Sequence, residues 1–257
     1  MTVRYPDWVI LHLPHDADTI PAEIRDQFVL DDAELRQELL RMTDHRTATL
    51  FGAGEGAGRV VRAPVSRLVV DAERFEEDAL EPMSSVGMGV VYTRTATGKP
   101  LRHTLSAEER EQLLERWYRP HHRRLEQVTA DALRIHGRAL VIDAHSFPSV
   151  PLPYEGTTDA DRPDICIGTD PFHTPPALRD ALVERFASAG FRVAVNTPFA
   201  GALVPGRFYR QEPRVQSVMV EVNRRLYLDE MTGLPGERFS VVANTVQKAC
   251  IAALDGL

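Results

Sequence analysis

Cysteine is scarce in this chain. Its 257 residues hold two, Cys166 and Cys250, and neither belongs to a CxxC pair. That excludes a disulfide framework and a thiolate metal cage, and a reducing cytoplasm becomes the expected setting. Positive charge is not in excess either. Thirty Lys and Arg face 37 Asp and Glu, a net charge of -7, which argues against nucleic acid as the main partner. No apolar run approaches the roughly 20 residues of a membrane span, and the opening Met1-Thr2-Val3-Arg4-Tyr5-Pro6-Asp7 has no apolar signal core. Internal repeats and long low-complexity tracts are absent as well. What remains is an ordinary globular composition, 43% hydrophobic and 26% charged, in a chain long enough to build a core without staples.

The apolar pattern alternates between strands and helices. Trp8 to Leu13, Ala139 to Ile142, Arg192 to Asn196 and Ser217 to Val222 read as strands, with a further one at Asp164 to Gly168. Arg59 to Val65 and Arg67 to Asp71 read as two more, broken near Pro64, and Val90-Val91-Tyr92 as a short one. Pro21 to Phe28 suits a short helix or turn. Asp31 to Leu40 suits a helix capped by Asp31 or Asp32, and Thr47 to Phe51 continues helically. Ser106-Ala107-Glu108-Glu109 is a capping box that opens a helix running to about Tyr118. Pro120 then starts the next helix or kinks a continuous one, and Gly137 stops it. Pro175 to Ala189 and the stretch from Gly236 to Leu254 supply later helices. This order predicts an α/β three-layer sandwich: one domain over residues 1–257, with a mixed, mainly parallel sheet and helices on both faces.

Three polar residues sit on or just after these strands: His15, His145 and Glu221. The carboxyl ends of strands in α/β folds are where ligands collect. A neutral imidazole there is a candidate metal ligand, and in Asp143-Ala144-His145-Ser146 the acid can orient the imidazole. Glu221 interrupts the apolar run Val218-Met219-Val220-Glu221-Val222. A carboxylate there is costly to bury unpaired, and a raised pKa would suit it to general-base work. Each has a structural alternative. His15 and His145 could be hydrogen-bonded loop residues; Glu221 could face solvent from an edge strand or pair with Arg214 or Arg224.

Read in order, these blocks resemble the N-formylglutamate amidohydrolase family, whose fold is similar to that of the zinc carboxypeptidases. The resemblance runs from Trp8 to about Glu230. It rests on Leu13-Pro14-His15 with Ile20-Pro21, Thr43-Asp44-His45, Ser66-Arg67-Leu68-Val69-Val70-Asp71 with Arg74, Arg119-Pro120-His121-His122, Asp143-Ala144-His145-Ser146, Asn196-Thr197-Pro198-Phe199-Ala200-Gly201 and Glu221-Val222-Asn223-Arg224-Arg225-Leu226-Tyr227. It implies one divalent metal, zinc first among the candidates, held by His15, His145 and Asp44. Zinc takes imidazole and carboxylate ligands and leaves a position for water. Manganese, iron or nickel would accept the same donors. The implied activity is hydrolysis of the amide of an N-acyl amino acid such as N-formyl-L-glutamate, a small molecule. Glu221 would be the general base, Arg67 or Arg74 would hold the substrate carboxylate, His122 would stabilise the developing oxyanion or contact substrate, and Asn196 would donate a hydrogen bond to substrate.

The chain also departs from that pattern. Its first loop reads Pro14-His15-Asp16-Ala17-Asp18 instead of Pro-His-Ser-Gly, and Asp18 follows His15 at the spacing of a carboxypeptidase carboxylate ligand, which makes it the alternative to Asp44. Glu73 stands where the family has Asn in Asp-Leu-Asn-Arg, and its charge would disfavour a dicarboxylate. His121 replaces a Tyr, and Gly201-Ala202-Leu203 lacks paired glycines. A carboxypeptidase-like metallopeptidase and a ligand-binding homologue without catalysis are the alternative functions. Other features carry less. Gly52-Ala53-Gly54-Glu55-Gly56-Ala57-Gly58 lacks the Lys-Ser/Thr of a phosphate loop. Ser146 lacks a GxSxG elbow. Cys166 reads as a buried structural thiol.

Overall fold

The computed structural model of the chain describes residues 4–54 and 59–255, so Glu55 to Gly58 of the glycine-rich stretch and the first three residues lie outside the described residues. Six strands form one sheet: β1 (Val9–Leu13), β2 (Arg59–Arg62), β3 (Ala139–Phe147), β4 (Ile165–Gly168), β5 (Val193–Val195) and β6 (Val215–Asn223), in the spatial order β2-β1-β3-β6-β4-β5. The pairs from β2 to β6 are parallel; β4 runs antiparallel to β6 and parallel to β5. The expected mixed, mainly parallel α/β sheet is therefore what forms. A small ribbon, β7 (Leu228–Asp229) with β8 (Leu234–Pro235), stands apart.

Alternation along the strands explains where the helices go. Val9, Leu11 and Leu13 of β1 and Leu140, Ile142 and Ala144 of β3 pack with α2 (Thr47–Leu50), α5 (Pro176–Ser188) and α6 (Phe239–Ala252). Ile10 and Ala139, which point the other way, pack with Leu125, Val128 and Ala132 of α4 (Arg119–His136). Helices thus cover both faces. A further apolar cluster joins α1 (Asp32–Met42), the stretch around Leu68 to Tyr92 and the region of Trp117. Both predicted acidic or hydroxyl caps form. Asp31 accepts from the Ala33 and Glu34 amides, and Ser106 caps α3 (Ala107–Leu113) in a full capping box.

Three local expectations need correction. Arg67 to Asp71 is a turn, not a strand: Ser66 accepts backbone hydrogen bonds from Val69 and Val70, and its hydroxyl accepts from Leu68. A serine that bonds its own downstream backbone competes with sheet formation. Val90-Val91-Tyr92 is likewise irregular, buried by packing instead of by strand pairing. Pro120 needs no correction: it sits in the first turn of α4 as expected, and one π turn at Leu114–Tyr118 joins α3 to α4. The predicted strand at Ala139 to Ile142 runs on to Phe147, so His145 lies within the strand, one of nine consecutive buried residues.

Candidate active site

Strand register assembles the site. On adjacent parallel strands, His12 of β1 lies opposite Asp143 of β3, and one step of the pleat further on His145 of β3 lies opposite Glu221 of β6. Neighbouring strands are about 4.8 Å apart, so register alone brings these side chains within reach. His15 follows β1 directly. Asp44 follows α1, and its amide donates to the His15 carbonyl at 2.9 Å, which pins the two loops together.

The two imidazoles are held from behind by carboxylates. His15 Nε2 is 2.7 Å from Asp71 Oδ1, and His145 Nε2 is 3.0 Å from Asp143 Oδ1. In front, His145 Nδ1 is 3.1 Å from Asp44 Oδ2, and His15 Nδ1 is 3.8 Å from the same oxygen. That buried His15 Nδ1 has no hydrogen-bond partner among the described residues. One donor atom from each of His15, Asp44 and His145 lies within 4.8 Å of the others. Converging inward nitrogens, each backed by a carboxylate, are the arrangement of metal-binding histidines, so these donors fit a divalent ion. Asp18 is elsewhere: it is exposed and lines a separate cavity with Asp16, His45 and Arg62.

Arg224 locks the acid of this trio. Its guanidinium donates to Asp44 Oδ1 at 3.0 Å, to the Ser146 carbonyl at 3.1 Å and to the Arg41 carbonyl at 2.7 Å, and it is 4% exposed. Burial works to raise the Asp44 pKa, yet the hydrogen bond of His145, the nearby His15 imidazole and the charge of Arg224 hold it well below the usual carboxylate range. Asp71 is held low in the same manner: the charge of Arg67 and the His15 imidazole outweigh burial. Arg67 grips Asp71 Oδ2 through Nε and Nη2, and the buried Tyr92 hydroxyl donates to that oxygen at 2.5 Å.

Glu221 is different. It is 7% exposed, its Oε2 has no partner among the described residues, and Arg214 and Arg224 are committed to Glu212 and Asp44. Neither the solvent-facing nor the paired arrangement holds. Burial, reinforced by the Asp44 charge, pushes its carboxyl up to about 7.

These groups border a cavity of about 480 Å³. His15, Asp44, His145 and Glu221 lie on its wall with Arg67, Arg74, Glu73 and Tyr154, and Phe147, Phe199 and Leu152 add apolar surface. Two expected site residues are not brought there. His122 packs against Tyr118 with ring centres 4.2 Å apart and planes tilted by 48°, stays off the cavity wall, and has its pKa pulled down to about 4 by burial. Helix α4 turns it toward Tyr118, one turn away. Asn196 is exposed, takes a left-handed backbone (φ 56°), and spends its amide on the Thr169 amide and hydroxyl at 2.9 and 2.8 Å. Cys166 behaves as expected: it is buried, donates to the Phe199 carbonyl, and is pushed up to about 11 by burial.

The sequence pointed to Asp143 behind His145, which the structure places there, but not to the other supporting partners. Asp71 behind His15 and Arg224 on Asp44 were legible only as members of blocks, since a partner 56 or 180 residues away leaves no periodic trace. The Arg67–Asp71 pair, at i,i+4, and the longer Arg74–Asp71 contact, at i,i+3, were within reach of a local reading.

Comparison with known proteins agrees with this architecture. The sequence model of the family described as N-formylglutamate amidohydrolase matches residues 8–228. An N-formylglutamate deformylase of Pseudomonas aeruginosa is 29% identical over 232 residues, covering 86% of this chain and 82% of its own length. One from Pseudomonas putida is 27% identical over 230 residues, with the same shares covered. Among solved structures, an N-formylglutamate amidohydrolase from Ralstonia eutropha superposes with a TM-score of 0.80 at 22% identity, over 95% of this chain and 91% of that one. A gene product of Agrobacterium tumefaciens gives 0.67 at 20% identity, over 94% and 90%.

Proposed function

Since the chain belongs to the N-formylglutamate amidohydrolase family, we propose that it hydrolyses the amide of an N-acyl amino acid, N-formyl-L-glutamate being the first substrate to test. The observation that carries this reading is the convergence of His15, Asp44 and His145 beside an unpaired, buried Glu221 on one cavity wall.

His15 and His145 would hold a divalent ion through Nδ1, and Asp44 through a carboxylate oxygen. When bound, such an ion polarises the amide carbonyl and acidifies a neighbouring water. Zinc is the leading candidate for this donor set. The chain's own residues divide the remaining work. Asp71 and Asp143 fix the tautomer and orientation of the two imidazoles. Glu221 accepts the proton of the attacking water and returns it to the nitrogen of the leaving amino acid as the C–N bond breaks, so that one water is consumed and a carboxylic acid and an amine are released. Arg74 is the better placed of the two arginines to bind the substrate carboxylate. Both line the cavity, but Arg67 commits Nε and Nη2 to Asp71, whereas among the described residues Arg74 hydrogen-bonds through Nε alone, to the Met88 carbonyl. His122 and Asn196 have no part in this reading.

The test is a panel of N-formyl and N-acetyl amino acids alongside short peptides, with purified zinc-loaded protein. Release of formate from a formyl amino acid is the expected result. Cleavage of peptides without deformylation would assign a metallopeptidase instead, and tight binding without turnover a ligand-binding homologue.

A further inference from the structure

A second group of metal-binding side chains lies next to the first, on the other side of Asp143. His12 is fully buried in β1, with Nδ1 2.9 Å from Asp143 Oδ1 and 3.4 Å from Glu73 Oε1. Its Nε2 is 2.8 Å from Nε2 of His121. Glu73 Oε1 is buried and has no hydrogen-bond partner among the described residues.

One donor atom from each of His12, Glu73 and Asp143 lies within 4.8 Å of the others. His12 Nδ1 faces both carboxyl groups, and an unpaired buried acceptor such as Glu73 Oε1 is costly. A cation would satisfy these atoms together. The contacts of 2.9 and 3.4 Å are the separations of adjacent ligand atoms about 2.1 Å from a common centre. His121 supplies the support that a metal-binding imidazole needs at its far nitrogen.

We propose that His12, Glu73 and Asp143 form a second divalent-cation site, distinct from that of His15, Asp44 and His145. One imidazole and two carboxylates suit zinc, manganese, iron or nickel. Glu73 borders the main cavity, which gives the ion a way in. Glu73 and His121 both contact His12.

The experiment strips the full-length protein with chelator, reloads it with zinc, removes free metal and counts ions per chain. Wild type should bind two, Glu73→Gln one, and His145→Ala one, so that failure at the second site is distinguishable from failure of the first. A single ion in wild type, or equal stoichiometry in wild type and Glu73→Gln, overturns the proposal and leaves a proton shared between the acceptors. Zinc-edge anomalous diffraction on wild-type crystals decides it without any variant. A peak within bonding distance of His12 Nδ1 and Glu73 supports the site, and no peak there in zinc-saturated crystals refutes it.

Discussion

His145 is gripped at both ring nitrogens by acids, Asp143 at 3.0 Å behind Nε2 and Asp44 at 3.1 Å before Nδ1. With a metal in place only the rear acid stays a hydrogen-bond partner of the ring, and it sets which nitrogen is free to bind. Replacing Asp143 by Asn should therefore leave the ligands present yet weaken zinc binding at the His15–Asp44–His145 site by roughly 10–100-fold. A competition titration against a calibrated chelator measures this, and an unchanged affinity would remove Asp143 from its supporting role. His145→Ala should abolish that site altogether.

Glu221→Gln tests the base. The amide keeps the shape of the side chain and cannot take a proton. Zinc content at the first site should be unchanged, and kcat should fall by about 10²–10⁴-fold. A fully active variant would assign the proton transfer to another group.

The same residue predicts a pH effect on stability in chelator-stripped protein. The folded-state pKa of Glu221 is raised from 4.5 to about 7 by burial. Between those values the native state holds a proton that the unfolded chain has released, so the contribution of Glu221 to stability declines as pH rises through this window. Glu221→Gln has no such proton to lose. Its melting temperature relative to wild type should increase from about pH 4.5 to about pH 7 and then level off, as read by thermal melts across that range. A constant difference would place the ordinary carboxylate pKa in the fold.

Arg74→Met should separate binding from chemistry. Loss of a cavity-lining guanidinium should raise KM for N-formyl-L-glutamate at least tenfold, a charge-assisted hydrogen bond contributing about 1.5–3 kcal/mol, with a smaller change in kcat. An unchanged KM would direct attention to Arg67.

Gly168→Ala tests how tightly the cavity wall is packed. A Cβ there would collide with the Gly201 carbonyl oxygen and with Met219 Cε. The Gly201 atom is backbone and cannot rotate aside. Overpacking of this kind costs about 1–3 kcal/mol, and it should displace the adjoining segment that carries the cavity residues Pro198, Phe199 and Ala200. A lower melting temperature with reduced turnover is expected in denaturation and activity assays.

Much of the molecule could be read from the chain, because the deciding forces were local. The apolar runs at β1, β3 and β6, the Asp31 and Ser106 caps and the Gly137 stop each lie within a few residues of their cause. The polar interruptions of those strands, His145 and Glu221, announced a site for the same reason: a charge inside a buried strand demands an explanation. Ser66 defeated the strand reading of Arg67 to Asp71, since an apolar run says that residues are buried but not how their backbone is bonded.

By itself, then, the sequence determined the α/β alternation, the buried positions and the residue types able to bind a metal. Only the tertiary structure decided which of them meet. Parallel register sets His12 beside Asp143 and His145 beside Glu221. Loop docking brings Asp44 to His15 and leaves Asp18 outside. The helix carries His122 away from the cavity. Donor geometry depends on distances between residues tens to hundreds of positions apart, and those distances are fixed by packing and strand pairing, which no local pattern records.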